Sequence, residues 1–228
     1  MISIAFLYTK TEPGGIMQKQ QTLRLEKNLW IIGDRHAKIG SPRQVLITTS
    51  EDYKALWLQH DQLRANIILE WISLDQIQSW DEIRIGSAHV RVTYICEPCR
   101  HLFEVAWFET DDWPTLIEHR WMLGVVTNSG DISLDQPASI VKSAYSSFPD
   151  SNFDRFCSII KAIPNHYYLS YNNIVFLMGA PKAYVRALPG YIKKAEALGI
   201  NCSSTQAQED IEALKPEQLW DFSDYFQN

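Results

Sequence analysis

The spacing of apolar residues changes once along this chain of 228 residues, and that change limits the possible fold most. Before the segment SAYSSFPDSN, residues 143–152, short runs rich in Val, Ile, Thr and aromatic residues predict strands separated by turns. After it, apolar residues recur at helical spacing, as in FDRFCSIIKAI, residues 153–163. The Ser, Pro, Asp and Asn residues of the segment itself indicate a linker. We therefore predict an α+β chain of two domains, residues 1–145 and 146–228.

The first of these domains is predicted to be rich in strands and to form a closed or nearly closed β-barrel. Strands are expected where apolar and polar residues partly alternate, in SIAFLY, RQVLITTS, EIRIGSAHVRVTYI and EVAWFET. A hairpin is expected around residues 86–88, and a helix in SEDYKALWLQH with Ser50 as its N-cap. A further helical segment is predicted to begin at Pro114, pass through Trp121 and yield to a turn near Gly130.

The second domain is predicted to be small and helical, with the outline of a helix-turn-helix or winged-helix-like unit. Residues 170–199 indicate a helix, a tight turn at Gly179 and Ala180, and a second helix begun by Pro181. The net charge of −6 argues against general attraction to nucleic acid. Residues 155–195 nonetheless contain no Asp or Glu, and the basic residues there are Arg155, Lys161, Lys182, Arg186, Lys193 and Lys194. Such local positive charge is typical of contact with phosphates.

Three observations bear on the compartment in which the protein works. The longest apolar runs, such as NIVFLMGA, are too short to cross a bilayer. The start of the chain, MISIAFLYTK, has neither a basic leader nor a cleavage site and predicts a strand rather than a signal peptide. The four Cys fit a reducing compartment. We therefore expect a cytoplasmic protein without a membrane partner.

The stretch YICEPCRHL, residues 94–102, carries Cys96 and Cys99 in a Cys-x-x-Cys arrangement. A structural zinc site needs a second pair of ligands, and His36, His89 and His101 offer none with the usual spacing. A redox pair usually opens a helix, and Pro98 is compatible with such a turn. The third alternative is a pair of half-buried thiols at the end of a strand. The residues of this stretch leave all three alternatives open.

Longer segments in the same region resemble the MOSC family, the module also found at the C-terminus of molybdenum cofactor sulfurases. The segments are GDRHAKIGSPRQVLITTSEDY at 33–53, LRANIIL at 63–69, and LDQIQSWDEIRIGSAHVRVTYICEPCRHL at 74–102. The resemblance implies a β-barrel-rich fold with a pocket for the pyranopterin molybdenum cofactor, and no zinc is expected. It also implies that Cys99 ligates molybdenum or carries sulfur, a role that suits a soft thiolate.

The same resemblance implies a cofactor-binding set around the segment 33–43. The phosphate of the cofactor needs cationic donors, and those near it in the sequence are Arg35, His36, Lys38 and Arg43. Asp34 is expected to cap this loop or to orient one of its side chains. Asn66 is expected either to bind the cofactor or to pair at a strand edge. Relatives often have Glu directly before this Asn, and Ala65 stands there instead, so cofactor binding need not bring their activity with it.

Small stand-alone members of the MOSC family are linked to reduction of N-hydroxylated bases. That reaction needs a two-electron centre. The sequence contains no flavin, haem or iron–sulfur motif, so the electrons would have to come from an external reductase. A sulfur carrier supplied by an external sulfur donor is the other activity that the resemblance implies. On either activity, Cys99 is the predicted catalytic residue and metal ligand.

A second resemblance covers the helical part of the chain. FDRFCSIIKAIPNHYYLSYNNIVFLMGAPKAYVRALPGYI, residues 153–192, resembles the DNA-binding part of O6-alkylguanine-DNA alkyltransferases and alkyltransferase-like proteins. The resemblance implies that Arg186 fills the gap left by a flipped nucleotide and that Tyr171 helps to rotate its phosphate. Pro181 and Lys182, at the turn and just after it, complete the implied DNA-binding set.

The sequence also departs from the alkyltransferases. The Pro-Cys-His-Arg element that accepts the alkyl group is missing, and Cys202 has no neighbouring histidine to activate it. Pro189 is predicted to end or kink the recognition helix early. Cys157, on the apolar face of its helix, is predicted to belong to the core.

These patterns support more than one function. The first hypothesis is a molybdenum-cofactor protein that acts on modified bases or carries sulfur and has a non-catalytic DNA-binding module. The alternative is a non-enzymatic sensor of DNA lesions with a degenerate MOSC domain. A third possibility keeps the first domain as a carrier and makes the second a docking platform for a protein. The sequence does not identify the substrate, the electron or sulfur donor, or the oligomeric state.

Overall fold

The computed structural model describes most of the chain. The described residues are 1–12, 15–27, 29–35, 43–62, 64–96, 108–109, 112, 115–116, 119, 121–144, 147, 149, 151–162, 168–180 and 182–206. The chain divides into two compact units. Unit 1 comprises Met1–Lys38 and Arg43–Ser147, and unit 2 comprises Ile39–Pro42 and Phe148–Asn228.

Unit 1 is built mainly from strands. In chain order they are β1 Ser3–Thr9, β2 Gln18–Gln20, β3 Thr22–Glu26, β4 Trp30–Ile31, β5 Val45–Thr49, β6 Ile67–Glu70, β7 Glu82–Ile85, β8 Ala88–Ile95, β9 Met122–Asn128, β10 Gly130–Ser133 and β11 Ala138–Val141. Helix α1, Ser50–Ala55, connects the parallel strands β5 and β6, and a 3-10 turn covers Leu74–Gln76. The predicted mixed α+β character and the richness in strands are confirmed.

An eight-stranded sheet, in the order β11-β7-β8-β9-β5-β6-β1-β2, forms the frame of unit 1. Strands β10, β3 and β4 form a smaller sheet beside it. Alternation of side chains sets which face is buried, as β3 shows: Leu23 and Leu25 are buried, whereas Thr22 and Arg24 are exposed. The apolar faces enclose one core of aliphatic side chains drawn from most strands of the unit.

The described strands do not form the closed barrel that the sequence predicted. The large sheet ends at β11 on one side and at β2 on the other, and no ladder among the described strands joins those ends. An isolated bridge between Ser3 and Pro137 links the start of β1 to the residue before β11. One bridge does not continue the ladder of hydrogen bonds that closure of a barrel requires.

The predicted hairpin is confirmed. Strands β7 and β8 pair antiparallel, with Ile85 opposite Ala88. Gly86 has a φ of 58°, in the left-handed region that glycine enters at little cost. A Cβ atom at this position would meet the flexible end of the Gln136 side chain, which can move aside, so the backbone geometry is what favours glycine.

Two local predictions for unit 1 need correction. Helix α1 is capped by Thr49 rather than Ser50, because the Thr49 side chain accepts from the backbone N–H of Asp52. The helix predicted from Pro114 does not continue to the turn near Gly130, since residues 122–128 form β9. This strand lies between β5 and β8 and is buried along most of its length, so its apolar run lacks the alternation of a half-buried strand. Pro114 itself and most of EVAWFET lie outside the described residues.

A second apolar cluster in unit 1, here called the α1 cluster, packs helix α1 against the sheet. Its buried members are Tyr8, Met17, Tyr53, Leu56, Ala65, Ile68, Leu116 and Trp121. Cys96 is partly buried against the same cluster. The α1 cluster therefore joins residues from the beginning, the middle and the end of the predicted MOSC region.

Unit 2 is mainly helical. Its elements are α2 Asn152–Ala162, β12 Leu169–Ser170, α3 Tyr171–Leu177, a 3-10 helix Lys182–Ala187, α4 Leu188–Ala197 and β13 Thr205–Gln206. The helix predicted in FDRFCSIIKAI is confirmed as α2, and its Phe156, Ile159 and Ile160 are buried. Pro189 lies in the first turn of α4, where its missing N–H is not needed. It therefore begins an α-helix instead of ending one, and the segment before it is a 3-10 helix.

A buried arginine holds two parts of unit 2 together. Arg155 of α2 is 2% exposed. Its Nε donates to the carbonyl oxygen of Pro149 over 2.8 Å, and its Nη1 donates to the carbonyl oxygen of Met178 over 3.4 Å. Met178 is the C-cap of α3, so the guanidinium donates to a carbonyl group at the end of this helix. The helix dipole also favours a positive charge there.

We expect Arg155→Met to lower the free energy of unfolding by roughly 2–4 kcal/mol, because two carbonyl groups lose a buried donor. Urea-induced unfolding of the full chain measures this change. The matched control is Arg186→Met, which removes an exposed arginine and should alter stability by less than about 0.5 kcal/mol. Equal stabilities of the Arg155 variant and the wild type would contradict the anchoring role.

Candidate functional site

The buried carboxylate of Asp34 is the centre of the candidate site in unit 1. Asp34 is 7% exposed and follows Gly33, whose φ of 86° turns the chain after β4. Its Oδ2 accepts from the backbone N–H of Lys10 over 3.0 Å and from Nδ2 of Asn66 over 3.2 Å. The carboxylate thus fastens this loop to the ends of two neighbouring strands.

Asn66 connects the same loop to two more strands. Its Oδ1 accepts from the backbone N–H of Leu46 over 3.0 Å, and its Nδ2 also donates to the carbonyl oxygen of Tyr8 over 3.3 Å. The residue is 8% exposed. The amide therefore bonds to β1, to β5 and to Asp34.

Lys10 brings a positive charge that the sequence patterns did not single out. Its carbonyl oxygen accepts from the backbone N–H of Arg35 over 2.7 Å, so the two residues are adjacent in space. Lys10 is 5% exposed, and its ammonium has no hydrogen bond or ion pair in the part of the chain that the structure describes. Burial lowers the pKa of Lys10, and the charges of Arg64 and Arg35 lower it further, against the opposing charge of Asp34.

These three cations are here called the cationic cluster: Lys10, Arg35 and Arg64. Arg35 and Arg64 are exposed, whereas Lys10 is largely buried. Three like charges repel one another, and a single carboxylate that is already hydrogen-bonded does not neutralise them. An anion bound among them would remove this repulsion and give the Lys10 ammonium an acceptor.

Arg43 contacts the part of the chain that leads to the predicted thiolate. Its Nη2 lies 4.0 Å from Sγ of Cys96, within the range for a hydrogen bond to sulfur. The backbone N–H of Cys96 donates to the carbonyl oxygen of Trp121 over 2.7 Å, which fixes the position of Cys96 at the end of β8. Of the predicted cations, Arg43 therefore stands at the Cys96 segment and Arg35 stands in the cationic cluster.

Several predicted site residues lie outside the described residues. These are Cys99, His36, Lys38, Pro181 and the side chain of Lys182. Among the residues that the structure does describe, no group of three or more His, Cys, Asp or Glu side chains is placed to hold a metal ion. Within the same residues, no helix is long and apolar enough to span a membrane.

In unit 2, the structure places two of the predicted DNA-binding residues. Arg186 lies in the 3-10 helix before α4 and is exposed, and its guanidinium has no ion pair or hydrogen bond within the described part of the chain. Tyr171 begins α3 and packs partly against the core of unit 2. Ser170 caps this helix by accepting from the backbone N–H of Asn173 over 3.2 Å.

The two thiols of unit 2 are enclosed in its apolar core. Cys157 is 8% exposed and Cys202 is 3% exposed. Burial raises the pKa of both thiols, so the reactive thiolate form is disfavoured. Sγ of Cys202 lies 3.6 Å from the carbonyl oxygen of Ile200, an acceptor that cannot remove its proton. This environment agrees with the expectation that Cys202 does not accept methyl groups.

Comparison with known proteins supports the first resemblance. Residues 34–136 match the family model described as MOSC domain. YiiM from Geobacillus stearothermophilus shares 13% identity and a TM-score of 0.54, over 84% of this chain and 100% of that one. YiiM from Escherichia coli shares 18% identity and a TM-score of 0.50, over 88% and 94%. The YUAD protein from Bacillus subtilis shares 17% identity and a TM-score of 0.51, over 61% and 96%.

At these identities the structural likeness shows the fold alone. Together with the family match it supports a MOSC domain at residues 34–136, so this prediction is confirmed. No curated protein matches the sequence. The resemblance of residues 153–192 to alkyltransferases, and the helix-turn-helix module that it implies, stay predictions.

The cationic cluster leads to a prediction about Lys10. Replacing it by Met should raise the free energy of unfolding of the ligand-free protein by up to about 1 kcal/mol, because a repelled charge is removed. Between the lowered pKa of Lys10 and 10.5, the unfolded chain binds more protons than the folded one. The free energy of unfolding of the wild type therefore rises with pH in that window, and this rise should be absent in Lys10→Met.

Inorganic phosphate should distinguish the same two proteins. It should raise the melting temperature of the wild type, by roughly 2–4 °C per kcal/mol of binding, and have little effect on Lys10→Met. Thermal denaturation at several pH values with and without phosphate measures both effects. Lys27→Met, which alters an exposed lysine, serves as the control and should respond to phosphate like the wild type. An equal response of the Lys10 variant would contradict the assignment.

Proposed function

We propose that the MOSC domain at residues 34–136, together with β1, binds the molybdenum-containing pyranopterin cofactor and serves reduction of N-hydroxylated bases. The observation that supports this most is the cationic cluster beside Asp34. It provides a largely buried lysine whose ammonium has no acceptor among the described residues, next to two exposed guanidinium groups. Such a set suits the phosphate of the cofactor, which needs charged donors in a site partly shielded from water.

The donor set supports the fit of this group to the chain. Lys10, Arg35 and Arg64 would hold the phosphate, and the hydrogen bonds of Asp34 and Asn66 keep Lys10 and the loop in position. Cys99, on the strength of its place in the MOSC pattern, would supply the thiolate ligand of molybdenum. When bound, the cofactor supplies a two-electron metal centre of a kind that side chains cannot provide.

The remaining side chains act by position and charge. Arg43 brings a guanidinium beside the Cys96 sulfur, where it would favour an anionic ligand or substrate group. The α1 cluster excludes water from one side of this region. Electrons would come from an external reductase, since the sequence offers no second redox motif. Transfer of sulfur from an external donor would use the same thiolate and is the alternative reaction on this site.

Analysis of bound molybdenum and pterin tests the proposed function directly. The purified wild type should retain both and should reduce 6-hydroxylaminopurine with a reduced viologen dye as the electron donor. Cys99→Ser should lower the activity more than roughly 100-fold, because loss of even an outer partner of a metal ligand costs 10–100-fold. Lys10→Met should weaken retention of pterin without altering the fold.

The control for that experiment is Cys157→Ala, which changes a buried thiol of unit 2. It should leave both the cofactor content and the reductase activity unchanged. Wild-type protein that retains no pterin, even when produced in cells that make the cofactor, would overturn the proposed function. Retention of pterin with sulfur transfer but no reduction would favour the carrier reaction.

We propose as a second function that unit 2 binds DNA at damaged or mispaired bases without catalysis. The exposed guanidinium of Arg186, without a protein partner in the described residues, favours this function. An unpaired arginine near the start of a helix can enter a groove or contact phosphates without first losing an ion pair. Tyr171, Pro181 and Lys182 take their proposed roles from the resemblance.

Binding of duplexes that contain O6-methylguanine tests this second function. Affinity should fall steeply with salt, and Arg186→Ala should weaken binding by about 1–3 kcal/mol. Fluorescence anisotropy at several salt concentrations measures both quantities. Arg24→Ala is the control, because Arg24 is an exposed arginine of unit 1 that already pairs with Glu26. Absence of binding even at low salt would rule out the DNA-binding role.

A further inference from the structure

A carboxylate and an imidazole form a pair in unit 1 that the proposed cofactor contacts do not use. Nδ1 of His119 lies 3.0 Å from Oδ1 of Asp52. The side chain of Asp52 is 7% exposed, and that of His119 is 31% exposed. Because a carboxylate only accepts hydrogen bonds, Nδ1 carries the hydrogen. Nε2 is then the ring nitrogen that is left to take up or give a proton.

The carboxylate of this pair is held rigidly. The hydroxyl of Thr49 donates to Oδ2 of Asp52 and accepts from the backbone N–H of the same residue over 3.2 Å. Thr49 is fully buried at the start of α1. Both oxygens of Asp52 therefore have partners, and the direction of its bond to the imidazole is set by the cap of the helix.

The imidazole is held from its own side as well. The backbone N–H of His119 donates to the carbonyl oxygen of Thr115 over 3.2 Å. Leu116, in the same turn, is fully buried in the α1 cluster. Nε2 has no hydrogen-bond partner among the described residues. His119 thus offers a fixed tautomer on a partly exposed ring, an arrangement that suits a proton-transfer group.

The turn that holds His119 is joined to the end of β8, where Cys96 lies. Trp121, which follows His119 closely, accepts from the backbone N–H of Cys96. Trp121 and Tyr53 of α1 both belong to the α1 cluster, against which Cys96 also packs. The turn of His119 and the helix of Asp52 therefore border the end of β8.

We propose that His119, oriented by Asp52, transfers protons to substrates that bind beside the end of β8. This inference rests on the proposed function of the site and names the group that its chemistry needs. The substrates are those of the proposed function, in which a hydroxyl group leaves from nitrogen. Hydroxide is a poor leaving group in neutral water. An acid that is positioned to protonate the departing oxygen therefore accelerates cleavage of the nitrogen–oxygen bond.

The proposed step balances as follows in atoms and electrons. R–NH–OH takes up two electrons and two protons and gives R–NH2 and water. The nitrogen–oxygen bond breaks, and one nitrogen–hydrogen bond forms. The electrons come from the external reductase. The imidazolium of His119 donates one proton from Nε2 to the departing oxygen, solvent supplies the other, and His119 is protonated again by solvent.

A second histidine–carboxylate pair in unit 1 provides a matched control. Nδ1 of His89 lies 3.4 Å from Oε1 of Glu82, and the same Oε1 accepts from Arg84 over 2.7 Å. This pair lies in the β7–β8 hairpin, at the opposite end of β8 from Cys96. His89→Asn removes an imidazole without touching the proposed reaction.

The test compares His119→Asn with the wild type in cofactor-loaded protein. Asn places its amide nitrogen near the position of Nδ1 and so keeps a donor for Asp52, but it cannot exchange a proton. With 6-hydroxylaminopurine and a reduced viologen dye, kcat should fall about 100-fold or more. KM, pterin content and melting temperature should stay within twofold or a few degrees of the wild type. His89→Asn should leave kcat unchanged.

Two further measurements separate proton transfer from a merely structural bond. Added imidazole should restore part of the lost kcat in His119→Ala and should have no effect on the kcat of the wild type. Nitrogen NMR of the wild type should show the hydrogen of His119 on Nδ1, and Asp52→Asn should change that tautomer. An unchanged kcat in cofactor-loaded His119→Asn would overturn this inference but not the proposed function. Wild-type protein that retains no pterin would overturn it together with the proposed function.

Discussion

The geometry of the candidate site depends on the hydrogen bonds of the Asn66 side-chain amide. It bonds to the backbone of Leu46 and Tyr8 and to the carboxylate of Asp34. These partners belong to β5, to β1 and to the loop after β4. One buried amide therefore sets the position of the loop relative to two strands. Because that carboxylate also accepts from the backbone of Lys10, the cationic cluster inherits its arrangement from the same set of bonds.

The site combines groups that cost stability with groups that supply it. Lys10 is largely buried beside other cations, and the charge of Asp34 only partly offsets the burial and the repulsion that disfavour its ammonium in the ligand-free protein. Asp34, Asn66 and Thr49 are buried polar residues whose hydrogen bonds are satisfied by neighbours. The framework is thus strong enough to hold a repelled charge in place. This combination is typical of binding sites, where an unfavourable group is kept for the ligand that it meets.

Local patterns in the sequence predicted strands β1, β5, β7 and β8, the hairpin and the helix α2, because each depends mainly on neighbouring residues. They misplaced the cap of α1 by one residue, since Thr49 and Ser50 have similar hydroxyl groups. They missed β9 because both of its faces are covered and its apolar run carries no period. Closure of the barrel could not be settled from local patterns, because it depends on pairing between distant segments.

The same limit applied to the candidate site. The MOSC pattern led to Asp34, Arg35, Arg43 and Asn66, which are close in the sequence to recognisable motifs. Lys10 and Arg64 joined the cluster only through the pairing of β1 with β6. Asp52 and His119 are 67 residues apart and meet through α1 packing, so no local spacing could reveal them. Two signals for the cationic cluster were present in the sequence: Lys10 directly follows β1, and Arg64 lies shortly before β6.

The parallel pair of β5 and β6 separates the two groups of polar residues described above. Arg64 and Asn66 stand where β6 begins, whereas Thr49, which fixes the carboxylate of Asp52, stands where β5 ends. Asn66 is level with Leu46, so three residues of extended chain, roughly 10 Å, separate it from Thr49. A single small ion at one end cannot touch the other. A ligand that contacted both groups would therefore have to extend along this pair of strands.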